Sequence, residues 1–254
     1  MPDRILALLL AIISVLTLAC GRPLTDPVTS PRLYEITPDV ERDSSAEIQR
    51  MAATIAPYSA RLETVMNRIL AEVAVPLTKA QPESSLGNWT ADLTLAAARD
   101  LFPEVDIAFA VQNYGGLRVN EIGTGPLLVS EMYELMPFDN ELVVVEVTGA
   151  ELEEFVAHTL SDGGWPVSEG LSAVRNGGMV TVRVNGQPVD PGAIYHIAMP
   201  DYVANGGSDS AMLVGKRQMA SGRLVRDLLI EYAGRHQTPI HVVPDGSRIK
   251  IEQP

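Results

Sequence analysis

The chain has 254 residues, with 19 Lys and Arg against 32 Asp and Glu and a net charge of −13. That length suits one sizeable domain or two small ones. The acidic balance excludes a surface that tracks the phosphates of nucleic acid, though not a pocket for a small anion, which needs only a few local donors.

Residues 1–20 read as an export segment. Arg4 supplies the positive start, and 5–18 form an apolar core too short for a comfortable membrane span. Ala19 and Cys20 then resemble a bacterial lipoprotein cleavage box with Cys20 as lipid acceptor. An ordinary secretory signal and an uncleaved anchor are the alternatives. Cys20 is the only cysteine, so no intramolecular disulfide forms and the exported domain is held by packing alone. Residues 21–43, rich in Pro, Thr and Asp, read as a tether.

Residues 44–80 form a leading segment. Ser44 to Glu47 is a capping-box pattern. Ile48, Met51, Ile55, Tyr58, Leu62, Val65 and Ile69 follow, alternately three and four apart. They make one stripe of an amphipathic helix, with Pro57 placed to kink it. Such a stripe is expected to pack on its own domain. Residues 73–77 read as a short strand.

The body runs over 81–254. A helix is expected at 87–101, with Asn88 and Asp92 near its start as cap or buried hydrogen-bond node. Residues 105–111 read as a buried strand that turns on Gly115 and Gly116 and presents Arg118. A short helix at 130–136 ends at Pro137, and 142–147 read as a strand followed by a helix at 150–160. Asn185 and Gly186 mark a hairpin between 179–184 and 187–189. A strand at 195–199 delivers Asp201 and Tyr202 into the Gly206-Gly207 turn. A helix at 224–233 and a second hairpin, 240–243 with 248–251, complete the chain. Alternating strand and helix signals give an α/β mixture, and the hairpins exclude a purely parallel sheet.

Four short stretches lie in a telling order. They are Ser84-Ser85-Leu86-Gly87-Asn88 with Ala91-Asp92; Asn113-Tyr114-Gly115-Gly116-Leu117-Arg118; Pro137-Phe138-Asp139-Asn140; and Tyr202 through Gly206-Gly207-Ser208-Asp209. Together they resemble the C-terminal, substrate-recognition domain of the 5′-nucleotidase family. The resemblance implies a four-layer α/β/β/α sandwich. It implies that Phe138 and Tyr202 sandwich a nucleobase, that Asn113 and Arg118 contact base or ribose and the anionic part, and that Asn140, Gly206, Gly207 and Asp209 complete the substrate site. Packing in the core is the other reading of the two aromatic rings. Ser208 stands where the family places an acid that holds the ribose, with Asp209 one residue later. Tyr114 and Asp139 each replace a glycine of the family pattern.

Hydrolysis in that family uses two metal ions held by Asp-x-His, Gly-Asn-His-Glu and Gly-His-x-His motifs. None occurs in this sequence. The four histidines are His158, His196, His236 and His241, and none falls in a ligand motif. Nor is there a Gly-x-Ser-x-Gly elbow. No catalytic residue, metal or other cofactor is assigned to this chain; divalent metals belong to a partner catalytic domain. The expected function is nucleotide or nucleoside recognition within a 5′-nucleotidase-type phosphohydrolase, completed by a separate metallophosphoesterase subunit. The expected place is the bacterial cell envelope, on a membrane through a lipid anchor. A non-catalytic binding lipoprotein for nucleosides or other aromatic anions is the alternative.

Overall fold

The computed structural model describes residues 45–252. The export segment at 1–20, its Cys20, the tether at 21–43 and Ser44 of the expected capping box lie outside the described residues. The chain divides between Thr54 and Ile55 into two units, and the first contributes only residues 45–54 to the described part.

Helix α1 is Ala46–Met66, with Pro57 inside it. The missing N–H of Pro57 does not end the helix. No residue of α1 is buried, and the stripe residues of the second unit are as exposed as those of the first. The expectation that this stripe packs on its domain is therefore corrected.

The second unit opens with β1 (Ile69–Val73) and β2 (Leu77–Thr78). Then come α2 (Ser85–Leu101), β3 (Ile107–Ala110), β4 (Glu121–Ile122), β5 (Gly125–Leu128) and α3 (Val129–Leu135). They are followed by β6 (Glu141–Thr148), α4 (Gly149–Ser161), β7 (Leu171–Asn176), β8 (Met179–Val184), β9 (Gln187–Pro188) and β10 (Ile194–Pro200). The last elements are α5 (Asp201–Ala204), β11 (Gln218–Leu224), α6 (Val225–Ala233) and β12 (Ile249–Glu252).

One four-stranded sheet runs β11-β6-β10-β3, a second runs β12-β7-β8-β9, and two short ladders pair β1 with β5 and β2 with β4. Strand β6 is a near-continuous apolar run because it is covered on both faces. Leu142 and Val144 enter one core with Trp89, Met132 and Leu229 of the helices α2, α3 and α6. Val143, Val145 and Val147 enter a second core, with Phe155 and Leu160 of α4 and Leu171, Val182 and Ile249 of the other sheet. The mixed α/β class expected from the sequence is the one the chain adopts.

Local expectations fare unevenly. Asn185 and Gly186 take positive φ, 50° and 76°, and turn β8 into β9 as a two-residue hairpin. Ile69, assigned to the helical stripe, instead begins β1. The second hairpin is absent. Ile240 forms only a parallel bridge to Val73, and β12 pairs in parallel with β7.

A polar cluster fastens β12 in place. Arg248 donates from Nη1 and Nη2 to the two Asp92 carboxylate oxygens at 2.7 and 2.8 Å, and from Nη1 to Val167 O at 2.9 Å. Glu83 Oε2 accepts from the backbone N–H groups of Arg248 and Ile249, while its Oε1 accepts from Asn88 Nδ2. The node expected at Asn88 and Asp92 thus serves β12. Arg248→Ala leaves the Asp92 carboxylate with only the Glu169 N–H, and we expect a loss of about 1–3 kcal/mol in urea unfolding, below the figure for a fully buried pair because Asp92 is half-exposed. A loss no larger than that of an ordinary surface substitution, about 0.5 kcal/mol, would contradict this role.

Candidate functional site

Three chain segments leave the first sheet at one edge. Strand β10 runs parallel to β3, with Ala198 opposite Ala110. It runs antiparallel to β6, with Pro200 opposite Leu142. The C-terminal ends of β3 and β10 and the N-terminal end of β6 therefore meet. Asn113 lies three residues past β3, Asn140 one residue before β6, and Tyr202 two residues past β10. Sheet edges of this kind are where α/β folds place ligands.

After β3 the chain forms a 3₁₀ turn, Tyr114–Gly116. The Asn113 side chain folds back over it. A Cβ on Gly116 would lie 2.7 Å from Asn113 Oδ1, so glycine is needed for the close approach. Asn113 is buried, and its Nδ2 donates to Ser208 Oγ at 3.1 Å. Its Oδ1 is buried over Gly116 without a hydrogen-bond partner.

Arg118 donates from Nη1 to Gly115 O at 3.2 Å, and its guanidinium stands 5.9 Å from the Phe138 ring centre. Behind it, Lys79 Nζ donates to Leu117 O at 2.7 Å and lies 4.0 Å over the Tyr114 ring. Partial burial, and then the nearby Arg118 charge, hold the Lys79 ammonium below its usual pKa. This side of the cleft is electropositive although the chain as a whole is acidic.

Phe138 is 40% exposed, and Arg226 fixes its loop. Arg226 donates from Nη1 to Phe138 O at 3.3 Å and from Nη2 to Asp139 Oδ1 at 2.7 Å, and it covers the Tyr133 ring at 4.5 Å. The Asp139 charge is thus turned onto Arg226. On the other side, Asp201 Oδ1 accepts from the N–H groups of Glu141 and Tyr202, tying the start of β6 to the end of β10.

Tyr202 is 48% exposed, and its hydroxyl accepts from Ser208 N–H at 3.2 Å. Gly206, at φ 94°, and two non-glycine residues in left-handed backbone, Ser208 at φ 52° and Asp209 at φ 60°, shape the loop. Such strain in non-glycine residues persists where surroundings hold it. Here His158 Nε2 donates to Ser208 O at 2.9 Å, and the imidazole is backed edge-on by Trp165 at 5.5 Å.

These parts line a cavity of about 320 Å³ bounded by Asn113, Gly115, Gly116, Arg118, Phe138, Asn140, Tyr202 and Ser208. The structure therefore brings together Asn113, Arg118, Phe138, Asn140 and Tyr202. Gly206 and Gly207 shape the loop without lining the cavity. Asp209 faces a neighbouring cleft with His158, Ser161 and Asp162. Tyr114 lies under Lys79 and is not a wall of the cavity. Sequence reasoning gave no role in the site to Arg226, Asp201 or His158. Their roles come from partners distant in sequence, and only Asp201, next to Tyr202, carried a local signal. Among the described residues, no group of three or more His, Cys, Asp or Glu side chains is placed to hold a metal ion.

Residues 65–215 match the family model for the 5′-nucleotidase C-terminal domain. The chain belongs to this family. Protein UshA of Escherichia coli is similar, 28% identical over 181 residues that cover 67% of this chain and 32% of UshA. The trifunctional nucleotide phosphoesterase protein YfkN of Bacillus subtilis is 34% identical over 104 residues, 41% of this chain and 6% of YfkN. Among solved structures, the 5′-nucleotidase precursor of Thermus thermophilus aligns with a TM-score of 0.69 and 26% identity over 82% of this chain and 44% of that one. The chain thus spans a third or less of these curated relatives and under half of that solved protein.

In this 5′-nucleotidase C-terminal domain, Gly207 allows the Tyr202 ring to lie flat on the loop. A Cβ there would stand 2.5 Å from Tyr202 Cε1, Cζ and backbone O. Gly207→Ala is expected to shift the Tyr202 ring resonances and lower stability by about 1–3 kcal/mol. Gly115→Ala, whose nearest contact is 3.9 Å away, is expected to stay within about 0.5 kcal/mol of wild type. Equal effects of the two changes would refute the packing of Tyr202 on Gly207.

Proposed function

We propose that this chain recognises nucleotides and nucleosides in a 5′-nucleotidase-type hydrolase. The observation that carries the reading is one cavity lined by two half-exposed aromatic rings, an arginine and two asparagines. A nucleobase stacks on Phe138 and Tyr202, which tolerate any base because every base has a π-face. Asn113, held by Ser208 Oγ, contacts the base or ribose. Arg118, backed by Lys79, draws the phosphate to the electropositive side. Ser208 presents a hydroxyl where a carboxylate would grip a ribose diol. The two-metal phosphoryl chemistry is supplied by a metallophosphoesterase domain on a separate chain. Export, with Cys20 as the lipid-bearing residue, places the protein at the cell envelope.

Calorimetric titration of AMP and adenosine tests this. Phe138→Ala should weaken both ligands by about 1–3 kcal/mol, roughly five- to two-hundred-fold. Arg118→Ala should weaken AMP more than adenosine, because only the anion loses a charge-assisted bond. Folded wild-type protein that binds neither ligand would refute the reading, and equal losses for the two in Arg118→Ala would make the arginine structural.

A further inference from the structure

A ribose differs from a 2′-deoxyribose by one hydroxyl, and a protein can tell the two apart in two ways. An acceptor-only carboxylate can take the protons of both hydroxyls of the ribose diol. Or a polar group that only the 2′-hydroxyl satisfies is left unpaired when the deoxy sugar binds, which rejects that sugar. The cavity at the end of β10 offers neither. Among the described residues that line it, none is Asp or Glu, and the one charged group is Arg118. Three carboxylates stand close in sequence to its walls, and each is engaged elsewhere. Asp139 Oδ1 accepts from Arg226 Nη2 at 2.7 Å. Asp201 Oδ1 accepts from the N–H groups of Glu141 and Tyr202 at 3.0 and 2.8 Å. Asp209 lines the neighbouring cleft.

The hydroxyls of the lining are already paired within the protein. Ser208 is held at three atoms. Its N–H donates to the Tyr202 hydroxyl at 3.2 Å, its Oγ accepts from Asn113 Nδ2 at 3.1 Å, and its carbonyl accepts from His158 Nε2 at 2.9 Å. The Ser208 and Tyr202 hydroxyl oxygens thus keep a protein donor whichever sugar enters. Ser208 is half-buried and Tyr202 exposed, so water can take the two hydroxyl protons. A deoxy sugar therefore leaves no orphaned group behind. We infer, on the nucleotide reading of this cavity, that it does not discriminate ribose from 2′-deoxyribose, and that Ser208 is the residue that sets this indifference. Ribonucleotides and deoxyribonucleotides are both its ligands. A neutral hydroxyl–hydroxyl bond replaces one to water and separates the two by no more than a few-fold.

Calorimetric titration of the full chain with AMP and 2′-deoxy-AMP tests it. The wild type is expected to bind the two within about fivefold of each other. Ser208→Asp puts a carboxylate in the wall, at a left-handed position, φ 52°, that Asp tolerates. One of its oxygens can keep the Asn113 bond while the other accepts from the diol. AMP is then expected to gain on 2′-deoxy-AMP by roughly tenfold or more. The added charge repels both phosphates alike and cancels in the ratio. Ser208→Ala should leave the ratio at its wild-type value. A wild-type preference for AMP beyond the fivefold limit would overturn the inference, as would a ratio that moves with Ser208→Ala or stays fixed in folded Ser208→Asp. If Ser208→Asp loses its fold by circular dichroism, the wild-type and Ser208→Ala ratios decide. Folded wild type that binds neither nucleotide would instead refute nucleotide recognition itself, and this selectivity with it.

Discussion

The site rests on the direction of one strand. Strand β10 pairs in parallel with β3 and antiparallel with β6, and that choice alone brings Asn113, Asn140 and Tyr202 to the same edge. Reversing either pairing would send one of the three segments to the far end of the sheet. The pairing is held by burial on both faces: Ile197, Ala198 and Met199 in β10 and Leu142 to Val145 in β6 are almost wholly removed from water. A slip of one residue would exchange the side chains of the two cores, placing the valines meant for α4 against α2 and α6. The core therefore fixes the register, and the register fixes the geometry of the cleft.

On this rigid edge, the cleft walls are loops that polar groups hold from behind. Asp201 joins two segments through backbone N–H groups, Arg226 joins the Phe138 loop to α6, and His158 holds the carbonyl of Ser208. None of these three faces the cavity, but each restricts a residue that does. Preorganisation of this kind lowers the ordering entropy that ligand binding must overcome. It also accounts for the left-handed backbone at Ser208 and Asp209. The hydrogen bonds from His158 and Asn113 and to the Tyr202 hydroxyl over-determine the loop, and Asp209 is thereby aimed out of the cavity into the neighbouring cleft.

Much of this was legible in the sequence, for physical reasons. The Leu-Val-Val-Val-Glu-Val run of β6 reads as a strand covered on both sides, Asn185-Gly186 reads as a turn needing positive φ, and three of the four motif stretches meet at the cleft, while Asn88 and Asp92 of the first belong to the cluster that fastens β12. What escaped was non-local. Strand β7 carries Ser172 and Arg175, and β11 carries Ser221, Gly222 and Arg223 with a register shift, so neither shows clean alternation. Strand β12 looked like half of a hairpin because Asp245-Gly246 is a good turn, yet its partner β7 lies some seventy residues upstream. The stripe was read correctly as a helix face from Ile48 to Val65, but its last member, Ile69, belongs to β1. At Tyr114 and Asp139 the sequence shows a glycine replaced but not the cations, Lys79 and Arg226, that draw the two side chains aside.

The central claim is that a nucleobase stacks on Phe138 and Tyr202 in the cleft at the end of β10. Saturation-transfer NMR with AMP tests it most directly. With the aromatic protons of Phe138 and Tyr202 selectively labelled and saturated, the account predicts that magnetisation reaches the adenine H2 and H8 protons more strongly than the ribose protons, as expected for rings within van der Waals contact of the base. Transfer that favours the ribose, or that arises only from tyrosines elsewhere in the chain, would contradict it.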